Sequence, residues 1–135
     1  PLRSMKDTAS GGEISRIALA IEMVISNLLK RQTLIFDEID VGISGRVAIQ
    51  VAKKIGILSK SLQILCITHL PQTACIADKH YKIAKKVIDG HTFAEADLLN
   101  ESQHLNAIAL MISGTYDSAS ALESAREMEK SVKNG

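Results

Sequence analysis

TLIFDEID, residues 33–40, is the stretch on which the reading of this chain turns. Thr33 to Phe36 is apolar, and it breaks without transition into Asp37, Glu38 and Asp40. Four residues are too few for a helix, so the run reads as a buried strand whose carboxyl end is acidic. Downstream, Leu62 to Thr68 (LQILCIT) is a second apolar run rich in β-branched residues, ending in Thr68 and His69. Between the two, Val47, Ala48, Val51, Ala52, Ile55 and Leu58 recur at helical spacing after the loop VGISG. Strand, helix, strand with both strands nearly all apolar implies a crossover and a parallel sheet buried on both faces.

Upstream, Ile14, Ile17, Ala18, Ile21, Ile25, Leu28 and Leu29 form an apolar stripe on a helix that begins after Gly12. Downstream, Pro71 opens a short helix, PQTACIAD. HYKIAKKVI and HTFAEADLL then flank Asp89-Gly90, the dipeptide suited to a tight hairpin turn. Leu105, Ile108, Ala109 and Ile112 mark a helix stopped by Gly114, and Ala119, Leu122, Ala125 and Met128 mark a last one. The closing KSVKNG is expected to fray.

The 135 residues, 46% hydrophobic, suffice for one core. Glu22, Asn27 and Lys30 interrupt the longest apolar stretch before it could span a bilayer, so a soluble intracellular protein is expected. Sixteen Lys and Arg against fifteen Asp and Glu leave +1, no electrostatic footprint for nucleic acid over the whole chain. Cys66 and Cys75 fit no metal-binding spacing and read as reduced, buried thiols. The first residue is Pro1 rather than Met, as expected of a piece of something longer.

In open α/β sheets ligands gather beyond the carboxyl ends of parallel strands, where Asp37, Glu38 and His69 lie. An Asp there suits Mg²⁺, an adjacent Glu can polarise an attacking water, and a His can donate to a phosphate as charge builds on it. A solvated strand-to-loop corner and a hydrogen-bonded structural His explain the same residues singly. Ser10, Gly11, Gly12 and Glu13 open the first helix, where free amides and the dipole favour an anion and glycine lets a phosphate approach. A capping box between Ser10 and Glu13 explains that spacing without a ligand. Both readings stand at this level.

Four motifs in order resemble those of the ABC-type ATPases: ASGGEISRIALA the signature, TLIFDEID the Walker B strand, VGISG the loop after it, and ITHLPQTACIADKHYKI the switch-histidine segment. The wording is most similar to the RecN-like branch, bacterial DNA-repair relatives of the SMC proteins, over about Pro1 to Lys85, with a looser likeness in GTYDSASALESAREM. The resemblance implies one lobe, residues 1–135, of a two-lobed ATPase head: parallel core strands flanked by helices, with a small antiparallel hairpin near the C-terminal end. No G-x-x-x-x-G-K followed by Ser or Thr occurs, so the phosphate cradle would belong to an N-terminal P-loop lobe and this chain alone would not hydrolyse ATP.

By the same resemblance, ATP and Mg²⁺ are the cofactors; Asp37 helps hold the metal, Glu38 is the base and His69 contacts the γ-phosphate. Ser10, Gly11, Gly12 and Glu13 serve ATP held by a second copy of the head, and Asp40, Gly42, Ser44 and Gly45 lie in the loop crossing the dimer interface. Gln72 matches the RecN-like phrase without an assigned role. DNA would be engaged through the full-length protein, in the bacterial cytoplasm at the nucleoid and without a membrane. Two other functions compete. A helicase would match DEID to its D-E-x-D box but lacks that family's further motifs, and a non-catalytic lobe would only scaffold dimers.

Overall fold

The computed structural model describes residues 9–25, 33–115 and 119–133. The elements run α1 (Gly11–Ile25), β1 (Thr33–Phe36), α2 (Gly45–Leu58), β2 (Gln63–Cys66), α3 (Pro71–Ala74), β3 (Tyr81–Ile88), β4 (His91–Leu98), α4 (Glu101–Ser113) and α5 (Ala119–Lys133). Leu28 and Leu29 of the expected first-helix stripe and residues 116–118 of the terminal motif lie outside the described residues.

β1 and β2 pair in parallel, Thr33 with Gln63 through Phe36 with Cys66, and the Ile67 amide extends the ladder to the Phe36 carbonyl at 2.9 Å. Since α2 connects them, both carboxyl ends face the same edge. α1 and α2 cover one side of this pair with Leu19, Phe36, Ile39, Ile55, Leu58 and Leu62. A second core joins α2 to α3, α4 and α5 through Ala52, Ala74, Cys75, Ile108, Ala109, Ala121, Ala125 and Val132. The small residues let the helices approach closely, and α2 belongs to both cores.

Two expectations about burial fail. The sheet is covered on one side only: Ile35 is 70% exposed, Ile67 61% and Leu65 49%. The isoleucine stripe of α1 also faces outward, with Ile14 and Ile17 each 40% and Ile21 52% exposed, while Gly12, Leu19 and Glu22 are buried. The cause is local. Gly12 must lie against the loop after β1, which fixes the rotation of the helix and turns its second apolar face away from the lobe.

The hairpin forms as the sequence indicates, with Asp89 at φ 51° and Gly90 at φ 78°, the paired left-handed conformations of a two-residue turn. α4 starts with a capping box between Asn100 and Gln103 and stops at Gly114, φ 70°. Both thiols are free, and burial pushes Cys66 up to about 12 and Cys75 to about 11, which keeps them protonated and unreactive. Among the described residues no helix is long and apolar enough to cross a membrane.

Candidate functional site: the acidic strand end and the glycine helix start

Asp37 and Glu38 follow β1 directly, and Thr68 and His69 follow β2, so the parallel register brings the two pairs to one edge. Asp37, Glu38 and His69 are exposed. Glu38 takes φ 57°, a left-handed conformation uncommon for a residue with a side chain. Such a conformation persists only where its surroundings enforce it. Here the enforcement comes from the turn that bonds Val41 N–H to the Glu38 carbonyl at 3.1 Å and from α1 pressed against it.

The contact with α1 is close. A Cβ on Gly12 would lie 2.8 Å from both the Glu38 and Val41 carbonyl oxygens, and one on Gly11 would collide with the Glu38 carboxylate. Gly12 is therefore required by the chain's own loop, whatever it does for a phosphate, whereas at Gly11 the obstacle is a side-chain end that can move. One turn on, Ser15 Oγ donates to the Asp37 carbonyl at 2.9 Å, and an Arg16 guanidinium nitrogen donates to the carbonyls of Val41 (2.8 Å) and Ile39 (3.2 Å). Sequence reading passed over Ser15 and Arg16. Their signal was the i, i+4 spacing from Gly11 and Gly12, which places all four on one face.

The capping box at the helix start is formed: Ser10 N–H donates to Glu13 Oε2 at 2.8 Å and Glu13 N–H to Ser10 Oγ at 3.3 Å. The bond from the Ser10 backbone, reinforced by its hydroxyl and by nearby Arg16, holds the Glu13 carboxyl below the usual range. This cap leaves the first-turn amides of Gly11 and Gly12 without intrahelical acceptors, as at any helix start. An open cavity of about 530 Å³ lined by Ala9, Glu13, Arg16, Ile17 and Ala20 runs along α1 but takes in none of Asp37, Glu38 and His69.

Asp40, grouped by sequence with the loop of Gly42, Ser44 and Gly45, turns its side chain into this chain's own lobe. It is 1% exposed, and its carboxylate is bonded to the turn after β2. Gly42 (φ 75°) and Gly45 (φ 53°) face open space, and Ser44, exposed, makes no side-chain cap to α2. Gln72 Oε1 is buried with no hydrogen-bond partner among the described residues.

For Mg²⁺ the donor set fits in part. Asp37 offers a hard carboxylate at an open strand end, and among the described residues no three-ligand group could hold a metal without help. That suits a cation sharing its ligands with phosphates rather than one caged by protein.

Comparison with known proteins decides the family. The chain is 43% identical over 128 residues to the DNA repair protein RecN of Halalkalibacterium halodurans, covering 95% of this chain and 23% of that protein. It is 43% identical over 130 residues to RecN of Bacillus subtilis, 96% and 23%, and 43% identical over 127 residues to RecN of Deinococcus radiodurans, 94% and 22%. This segment belongs to the RecN family.

The chain thus spans under a quarter of the length of its RecN relatives. No family model matches it. Among solved structures, a chain from work on ATP-driven dimerization and DNA-stimulated activation of SMC ATPases superposes with a TM-score of 0.54 at 25% identity, covering 83% of this chain and 66% of that one. The RecN-type segment accordingly has the α/β fold of an ABC-type ATPase lobe, with its parallel strand pair, flanking helices and hairpin.

Proposed function

We propose that this segment is the signature, Walker B and switch-histidine lobe of a RecN-type ATPase head, and that its edge completes a nucleotide site whose P-loop lies on an N-terminal lobe of the same protein. Asp37 would hold Mg²⁺, which when bound supplies charge neutralisation on the phosphates. Glu38 orients and polarises the attacking water, and His69 donates to the terminal phosphate. Ser10, Gly11, Gly12 and Glu13, with Gly42, Ser44 and Gly45, face the nucleotide and surface of a second head. ATP then bridges two heads, hydrolysis parts them, and the full-length protein couples this cycle to DNA during double-strand break repair and recombination.

One observation carries the reading. The glycine start of α1 and the acidic end of β1 are packed into a single unit, by Gly12 against the Glu38 carbonyl and by Ser15 and Arg16 on the loop carbonyls. A group reaching the signature from a second head would therefore meet the loop that carries Glu38. The uncovered face of Ile35, Leu65 and Ile67 supports the existence of a further lobe.

The test is ATP turnover by the full-length protein, wild type against Glu38→Gln. The isosteric amide keeps the shape and loses the base, so turnover is expected to fall at least about a hundredfold while ATP-dependent dimers last longer. Turnover within about twofold of wild type would remove Glu38 from the role of base.

A further inference from the structure

A carboxylate taken out of water needs several good hydrogen bonds to persist as a charge. Asp40, 1% exposed, has them, and all come from one place. Its Oδ2 accepts from the Thr68 hydroxyl, from His69 N–H at 3.3 Å and from Leu70 N–H at 3.4 Å. Its Oδ1 lies 3.5 Å from His69 Nδ1. Thr68 Oγ in turn accepts from Leu70 N–H at 3.0 Å, closing the turn on itself. Three consecutive residues after β2 are thus organised around a side chain that belongs to the loop after β1.

The His69 ring is 65% exposed, and Asp40 is its sole recorded polar contact among the described residues. Nothing else fixes which nitrogen points outward. We propose that Asp40 is a positioning residue for His69: it holds Nδ1 toward the lobe and presents Nε2 over the strand edge shared with Asp37 and Glu38. The catalytic meaning of this pairing rests on the ATPase reading above; the pairing itself does not. The tautomer follows from the geometry. With Nδ1–H directed at Asp40, Nε2 accepts in the neutral ring and donates to a phosphate oxygen only when the ring carries both protons.

Two readouts on the full-length protein test this. In the first, histidine rings are labelled with ¹⁵N and the His69 signal is assigned by its loss in His69→Gln. Wild type is expected to show a protonated Nδ1, and Asp40→Asn to lose that state, while its amide oxygen still serves the Thr68, His69 and Leu70 donors. Thr68→Val, which loosens the carboxylate but keeps its charge, should move the same signal less and in the same direction.

In the second, Asp40→Asn should lower kcat about tenfold with KM for ATP changed less than about twofold, and should have no further effect on a His69→Ala protein. A His69 signal indifferent to both substitutions overturns the proposal. So does an equal loss of kcat with and without His69, because Asp40 would then act only on the fold. If wild type hydrolyses no ATP, the ATPase reading falls, and the ring signals alone decide the pairing.

Discussion

The loop after β1 and the β3–β4 hairpin are both compact turns of backbone, yet they are held in opposite ways. Residues 37–41 are fastened from outside the loop: Ser15 and Arg16 bind their carbonyls, Gly12 packs against them, and the turn after β2 binds Asp40. The hairpin is fastened mainly to itself. In its register Tyr81, Ile83 and Val87 share a face with Leu98, Ala96 and Thr92, and on that face Val87 is 72%, Ile83 64%, Leu98 53% and Tyr81 52% exposed. The opposite face carries the Lys86–Glu95 ion pair. A lone two-stranded ribbon is marginal in water, so the difference teaches that one region is finished within this chain and the other leaves an apolar face open in it.

The largest expected effect breaks the finished region. Gly12→Ala gains about 1 kcal/mol of helix propensity. Against that, its methyl meets two backbone oxygens at 2.8 Å, neither of which can swing aside as a side-chain tip would. Overpacking of this kind costs about 1–3 kcal/mol, and parting α1 from the loop strains the Arg16 bonds as well. Thermal or urea unfolding should therefore show net destabilisation of about 1–3 kcal/mol. Gly11→Ala is the control, because its methyl meets the movable Glu38 carboxylate. Stability should stay within about 0.5 kcal/mol while turnover of the full-length protein drops. Equal stability losses for the two would show that the close approach at Gly12 is not what holds the loop.

Next in size is the hairpin, and here the same substitution should read differently in two settings. Val87→Thr keeps a β-branched residue at an exposed position, so in this chain alone the change should stay within about 0.5 kcal/mol. If the face is covered in the full-length protein, placing a hydroxyl there costs about 1–3 kcal/mol. Unfolding curves of both forms make the comparison. A full-length protein as tolerant as the isolated chain would mean that this face stays open.

What could be read from sequence follows the same division. TLIF ending in acids, Asp89-Gly90 and the stop at Gly114 are local signals, and local chemistry produces each of them. Burial of the Ile14–Ile21 stripe and of Ile35 and Leu65 was misread because periodicity reports that a face is apolar without saying which part of a protein covers it. The burial of Asp40 was out of reach for a related reason, because its donors come from the turn after β2, 28 residues on, and no local pattern announces them. The capping box at Ser10 and the loop-facing glycines were both within reach, but the spacing alone did not say that one helix start could carry both.

The smallest expected effect concerns the seam between the hairpin and the helix that follows it. His80, just before β3, places Nδ1 3.0 Å from Nδ1 of His104 on α4, and Leu99 N–H bonds the His80 carbonyl at 2.9 Å. Burial lowers both rings from their ordinary 6.5; His104 adds to the effect at His80, while at His104 the Glu129 carboxylate opposes it and Lys133 reinforces it. The unfolded chain therefore binds more protons than the folded one just below pH 6.5, and stability rises with pH there. The stabilisation is complete above that value, is lost as pH falls through it, and the loss levels off once the folded rings protonate. Glu13 has the same sign, but its effect begins only near 4.5, so the window from pH 7.5 to 5.5 isolates the histidines. Each ring contributes at most one proton, which limits the slope to about 1.4 kcal/mol per pH unit per ring, and partial exposure reduces it further. Melting temperatures across that window should fall for wild type and fall less for His104→Gln, whose amide can still bond His80 but cannot take up a proton. Parallel curves would place the pH dependence elsewhere in the chain and remove the His80–His104 contact from its cause.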